Sequence, residues 1–355
     1  MDPLTATCPP PRRETERVLL GHGSGGRLMA ELLTAVIEPE LGLAGPAEDA
    51  AVVDLAAVGG NGEVIVSTDA FVVTPRFFPG GDIGELAVNG TVNDLAMRGA
   101  RPVGICLAYI VEEGFGLDEL RAVTASVARA ARSAGVRVVS GDTKVVGRGA
   151  ADGLYITTTG FGVRLPGSQV SAAQARPDDV VLISGPIGLH GTAILSVRES
   201  LGFEAEIVSD TRPLHDLVAA MIEAGGASVH ALRDPTRGGL ASALNELAET
   251  SGVGVELDES AIPVPGTVAA ACDLLGLDPM HVANEGCLVA FVAPEAALDV
   301  LVAMRAHPAG AQARPIGRAV ATPPASFAGR VRMHTMVGAT RVVDMLVGEQ
   351  LPRIC

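Results

Sequence analysis

Apolar positions along the chain repeat with two different periods, and the switches between them mark out the elements. After a Pro- and Arg-rich stretch to residue 17 and the apolar step VLL, RLMAELLTAVI puts Leu28, Leu32 and Val36, with Leu33 and Ile37, at helical spacing, and Pro39 ends the run. EVIVSTDAFVV at 63–73 reads as a strand, and GGDIGELAVNGTVNDLAMRGA as a helix despite its glycines. A strand around VGICLAYIV, a helix near 117–134 and the strands VRVVSGDT and LYITTTGFGV follow. The small, polar segment LPGSQVSAAQARPDD reads as a connection between domains. DVVLISGPIG then opens a second series, with helices near 189–201, 213–224 and 239–251 and strands near 253–258 and 287–293. The short β-like pieces RVRMHTMV and TRVVDML precede GEQLPRIC. The pattern predicts an α/β protein with mixed α+β sheets: an arm and glycine-rich loop at 1–40, domains at 41–165 and 166–340, and a tail at 341–355.

Composition narrows the class. A chain of 355 residues is long enough for about two cores, and 48% hydrophobic against 19% charged residues excludes general disorder. No apolar run approaches the roughly 20 residues of a membrane helix, and MDPLTATCPPPRRE lacks the apolar region of a signal peptide, so a soluble, cytoplasmic protein is expected. A net charge of -15 disfavours nucleic acid and anionic membranes and leaves small molecules and proteins as partners. The five cysteines include no CxxC pair, which speaks for reduced thiols rather than a disulfide framework or structural zinc. Of 26 basic residues only Lys144 is a lysine, and an ammonium, unlike a guanidinium, can give up its proton in a suitable site.

Several motifs carry candidate chemistry. GHGSGGR at 21–27 offers the amides of Gly23, Ser24, Gly25 and Gly26 to an anion. It fits GxGxxG formally, but Arg27 and Leu28 stand where a P-loop needs Lys and Ser or Thr, and no acidic residue follows at the dinucleotide position; a plain glycine hinge is the alternative. Four acidic sites lie at predicted element boundaries: Asp49, Asp69, Asn93 with Asp94, and Asp142 with Thr143 and Lys144. Each aspartate alone suits a cap or turn; converging, Asp49, Asp69, Asp94 and Asp142 would suit Mg2+ shared with phosphates. RDPTRGG at 233–239 fits anion binding or a buried salt bridge equally well, HVANEGCLV sets Asn284 and Glu285 just before a strand, and the histidines show no metal-binding spacing.

In order, HGSGG, DAAV, TD, TVNDLA, GDTK, RDPTRGG, NEG and PRIC resemble the HypE family of hydrogenase maturation proteins over about residues 18–355. That family is part of the ATP-binding superfamily of aminoimidazole ribonucleotide synthetase, selenophosphate synthetase and thiamine monophosphate kinase. The acidic motifs and RDPTRGG are shared across the superfamily; GDTKVV and terminal PRIC narrow the resemblance to HypE. It implies a two-domain aminoimidazole-ribonucleotide-synthetase-like fold with a flexible C-terminal tail, a homodimer joined through its N-terminal domains, and bound ATP and Mg2+. It also implies that the carbamoyltransferase HypF loads Cys355, that ATP drives dehydration of the thiocarbamate to a thiocyanate, and that cyanide passes to iron on the HypC and HypD scaffold. Lys144 and Glu285 become the candidate proton acceptors, and Cys287 stands where the family pattern often has Lys. A selenophosphate-synthetase-like enzyme, with Cys8 as its reactive thiol, and a non-enzymatic carbamoyl carrier are the alternatives.

LPRIC itself lacks a prenylation pattern, since Pro352 occupies the fourth position from the end. The eight residues from Gly348 reach at most about 26 Å, enough for an arm that carries Cys355 between sites.

Overall fold

The computed structural model describes residues 26–32, 34, 51–54, 63–199, 206–321, 331–348, 351 and 353–355. Gly23, Ser24, Gly25, Asp49, Cys8 and Pro352 lie outside them.

The first domain runs α1 Arg27–Leu32, β1 Ala51–Asp54, β2 Glu63–Phe71, the short pair β3 Phe77–Phe78 and β4 Gly81–Asp82, α2 Ile83–Met97, β5 Ala100–Glu112, α3 Leu117–Ser133, β6 Arg137–Val146 and β7 Leu154–Arg164. Its five-stranded sheet has the order β1-β2-β7-β5-β6, antiparallel except where β5 and β6 run parallel. Burial alternates strictly along β7: Leu154, Ile156, Thr158, Gly160 and Gly162 are covered, and the residues between them are only half-buried. One face therefore packs on helices and the other stays open.

The covering helix is α2. Asp82 caps it, accepting from the amides of Gly84 at 2.7 Å and Glu85 at 3.1 Å. Within it only Glu85 and Asp94 escape full burial, so it shows almost no polar face. Its glycines permit close approach: a Cβ at Gly84 would stand 2.5 Å from the Val123 carbonyl of α3, and one at Gly90 3.0 Å from the Phe71 ring.

The second domain comprises β8 Val180–Ile183, α4 Leu189–Arg198, α5 His215–Gly225, β9 Val229–Arg233, α6 Gly239–Ser251, β10 Val253–Asp258, α7 Gly266–Leu275, β11 Val289–Val292, α8 Pro294–Ala306, β12 Arg314–Ala321, β13 Val331–His334 and β14 Thr340–Val342. The seven-stranded sheet is ordered β14-β13-β10-β12-β8-β11-β9. Val181 and Ile183 of β8 pack with Leu240, Leu244 and Leu247 of α6, and Leu182 packs with Leu217 and Met221 of α5 and Val300 of α8. Both faces are thus covered, which is why β9 and β11 are buried at every position. β14 still belongs to this sheet, so the expected start of the tail at 341 falls inside a strand.

Candidate functional site

The end of the chain lies against both domains. Ile354 is 2% exposed and belongs to the first-domain core, beside Ile194 of α4 and Ala283. Burying such a side chain stabilises the docked position by about 1.5–3 kcal/mol. The backbone is held as firmly. Val72 N–H donates to the main-chain oxygen of Cys355 at 3.0 Å and Thr74 N–H to the Arg353 carbonyl at 3.3 Å. Arg198 donates to the carbonyls of both Thr74 and Arg353. His190 Nε2 donates to the Ile354 carbonyl at 2.8 Å, and its Nδ1 faces Ser209 Oγ at 2.8 Å. Burial keeps this imidazole neutral by lowering its pKa, against the opposing pull of the Ile354 carbonyl and Asp210. A neutral ring that donates through Nε2 accepts the Ser209 hydroxyl at Nδ1.

This docking brings Cys355 among four charged groups: Asp69 on β2, Asp94 on α2, Glu285 before β11 and Arg237 just before α6. Burial is the main force pushing the thiol up to about 12; Arg237 opposes it, and Glu285, Asp69 and Asp94 add to it. A docked Cys355 is a neutral thiol and a poor nucleophile. Glu285 is 3% exposed, and burial first, then Asp234, Asp210 and Asp69, hold its carboxyl well above the usual range while Arg237 opposes them. Asp69 is raised by burial, against the Ala70 amide that it accepts at 2.7 Å and Arg237. Asp94 is fixed by the Ser67 hydroxyl at 2.7 Å.

Glu285 is positioned through its backbone. The amides of Glu285 and Gly286 donate to the two oxygens of Asp210, each at 3.0 Å. Cys287 lies behind them, buried, its thiol donating to the Gly185 carbonyl at 3.6 Å and pushed up to about 12, mainly by burial.

Other expected site residues stand elsewhere. Asn93 is completely buried: its amide nitrogen donates to the carbonyls of Arg212 at 3.1 Å and Glu285 at 3.4 Å, and its oxygen accepts from Leu214 N–H at 2.8 Å. These bonds occupy both ends of the Asn93 amide with backbone groups and pin the site's backbone. Within one protomer the Asp142–Lys144 pair stands apart from Asp69 and Asp94 as well. Asp69 pairs across the sheet with Thr158, then Leu107 and Gly141, whereas Asp142 falls in the next row with Ala108, Thr157 and Ala70. Residues in neighbouring rows point to opposite faces, and three strand spacings separate the two aspartates by about 14 Å. Asp142 and Lys144 lie on the open face, where Lys144 Nζ donates to both carboxylate oxygens at 2.7 and 2.5 Å. Thr143 follows on the same edge strand. Among the described residues no group of three or more His, Cys, Asp and Glu converges as a metal would require.

Of the glycine-rich loop, Gly26 is described, and it lies beside the tail. A Cβ there would stand 2.5 Å from the Leu346 carbonyl, which accepts the Arg27 amide at 3.0 Å. Gly26, Arg237, Gly238, Leu346, Gly348 and Ile354 line one cleft. Motif reading left Arg237 undecided between anion binding and a salt bridge, and it passed over His190, Arg198 and Asp210. RDPTRGG was the available signal for Arg237; the others serve through backbone contacts that no local pattern announces.

The fold and this cleft define an ATP-binding-superfamily architecture of the aminoimidazole ribonucleotide synthetase type. The family models described as AIR synthase related protein, N-terminal domain and C-terminal domain match residues 47–164 and 176–328. Carbamoyl dehydratase HypE of Bradyrhizobium diazoefficiens is 54% identical over 95% of this chain and 95% of that one. A crystal structure of HypE in complex with ATP superposes with a TM-score of 0.80 at 44% identity, covering 96% of this chain and 100% of that chain. The HypE of a HypE–HypF complex gives 0.81 at 41% identity over 90% and 100%. The chain belongs to the HypE family.

Proposed function

We propose that the chain is an ATP-dependent carbamoyl dehydratase that works on its own Cys355. In this reading HypF loads the thiol with a carbamoyl group, and S-C(=O)NH2 with ATP becomes S-C≡N with ADP and phosphate. The amide oxygen leaves with the phosphate and two protons leave the nitrogen. The observation that carries the reading is the docking of Cys355 between Glu285, Asp69, Asp94 and Arg237.

Glu285 suits the proton acceptor: raised by burial, its carboxylate is a stronger base than an exposed one. Arg237 offers a fixed cation for developing phosphate charge, and its own pKa is raised first by Cys355 and then, against burial, by Asp69, Glu285 and Asp94. ATP supplies the phosphoryl group that makes the amide oxygen a leaving group. Gly26 and Arg237, on one cleft beside the thiol, fit a polyphosphate, with Gly23, Ser24 and Gly25 just upstream in sequence. Asp69 and Asp94 supply hard oxygens for Mg2+, and Asp49 is the further ligand that the reading assigns.

Lys144 and Asp142 enter through a second copy. β6 is an edge strand with Val138, Val139 and Val145 exposed, the kind of edge that a homodimer closes. A role for Lys144 in the chemistry needs that second protomer, because within one protomer it faces away from Cys355. HypC and HypD are the assigned acceptors of the cyanide on iron.

The test is the intact mass of the C-terminal peptide after incubation with the carbamoyltransferase, carbamoyl phosphate and ATP, then with ATP alone. Gain of a carbamoyl group followed by loss of water is expected. A carbamoyl group that stays on Cys355 in the presence of ATP would sink the dehydratase reading and leave a carrier.

A further inference from the structure

Arg353 is the one basic side chain of the terminal GEQLPRIC, and it is engaged on three sides. Its Nη1 donates to Asp152 Oδ2 at 2.5 Å and its Nε to the Val72 carbonyl at 3.0 Å, while the guanidinium carbon stands 5.9 Å from the centre of the Tyr155 ring. The residue takes φ +49°, a left-handed conformation that a non-glycine residue seldom adopts.

The partner surface is braced without the tail. Asp152 lies in the connection between β6 and β7, and the Glu112 carboxylate closes that connection by accepting from the amides of Gly149 at 2.5 Å and Gly153 at 2.9 Å. Arg76 donates to the Asp152 carbonyl at 3.1 Å and to Glu119 at 2.8 Å, so the loop is tied to α3 as well. With Tyr155 at the start of β7, these contacts present one carboxylate, one carbonyl and one aromatic face in a fixed array that matches a guanidinium.

We propose that Asp152, the Val72 carbonyl and Tyr155 form a receptor for the Arg353 side chain that sets how much of the protein holds Cys355 in the inner site. Arg353 is then a positioning residue: it touches none of the reacting atoms and acts by placing the thiol. The Arg353 side chain is 32% exposed and that of Asp152 54%, so the contact is strong enough to bias the docked state and weak enough to let go. Loss of the contact is expected to raise the undocked fraction about two- to fivefold. The consequence for dehydration rests on the function proposed above; the docking itself does not.

The experiment reads thiol accessibility in the full chain: the rate at which iodoacetamide labels Cys355, followed by mass spectrometry of the C-terminal peptide. Arg353→Ala and Asp152→Ala should each label about two- to fivefold faster than the parent, with Arg353→Lys in between because it keeps the charge and loses the fork. Combining Asp152→Arg with Arg353→Asp should label more slowly than either reversal alone, a recovery that a merely structural defect would not show. Buried Cys272 and Cys287 report unfolding: if they label in Asp152→Ala, Asp152→Asn, which keeps the shape and loses the charge, decides instead. Single variants that label at the parent rate, or reversals that only add, overturn the receptor. A parent protein that labels as expected but never loses water from a loaded tail would overturn the dehydratase reading and leave the receptor standing.

Discussion

His190 Nε2 donates to the carbonyl oxygen of Ile354 across 2.8 Å, joining a fully buried imidazole of the second domain to the residue just before Cys355. The ring sits edge-on to Phe78 of the first domain, with centroids 5.4 Å apart. One histidine therefore holds the tail and braces the domain boundary, and its protonation state bears on both.

Two buried groups here titrate with opposite signs. The native state disfavours the protonated, cationic ring of His190, so below pH 6.5 the unfolded chain binds more protons and stability falls as pH falls. Glu285 is raised, so above its ordinary 4.5 the native state keeps the extra proton and stability falls as pH rises. Between pH 4.5 and 6.5 the slopes oppose each other. Thermal melts should show Glu285→Gln losing Tm faster than the parent on acidification, and His190→Gln gaining relative to it. Parallel curves for all three proteins would contradict both assignments.

Asn93→Ala removes a bracket of three backbone bonds from a fully buried position. Leaving the Leu214 amide and the Arg212 carbonyl unpaired should cost about 2–4 kcal/mol in urea unfolding at unchanged m. A change in nucleotide affinity with unaltered stability would return Asn93 to the ligand surface.

Gly286→Ala meets a wall. Its Cβ would run into the Asp210 carbonyl oxygen, so the backbone that positions Glu285 must shift. A loss of more than about 2 kcal/mol of stability is expected, and dehydration should fall further than the melt alone explains.

Val145→Asp places a charge on the β6 edge, where Val145 is 69% exposed. If two copies meet along this strand, light scattering on the size-exclusion peak should show the mass fall from that of two chains to that of one. A variant that keeps the parent mass would move the dimer contact elsewhere.

Much of this architecture was legible from periodicity. The strand-like runs EVIVSTDAFVV and LYITTTGFGV announced β2 and β7, and the predicted strand at 253–258 is β10. Helices α7 and α8 and strands β9 and β12 escaped it; β9 is buried along its whole length and offers no alternation to read. Of the residues the motifs singled out, Cys355, Glu285, Asp69 and Asp94 are brought together by the fold. The motifs did not separate Asp142 from Asp69, because which face a strand residue takes depends on register across three strands, and one strand's sequence holds no record of it. Nor could the motif foretell how Asn93 is used: a buried amide serving backbone groups of the second domain carries the same letter as one serving a ligand.

Every hydrogen bond described for Ile354 and Cys355 is made through a main-chain oxygen, with Val72 and His190 as the donors. Such a grip is indifferent to what the sulfur carries. Empty, loaded and dehydrated tails all present the same backbone, so the cradle reads only that an end has arrived, and cargo is told apart within the few ångströms around Sγ. Held as a neutral thiol, Cys355 meets the three carboxyl groups without a charge of its own, so the acid-lined chamber tells one neutral group on the sulfur from another by shape and hydrogen bonding rather than by charge.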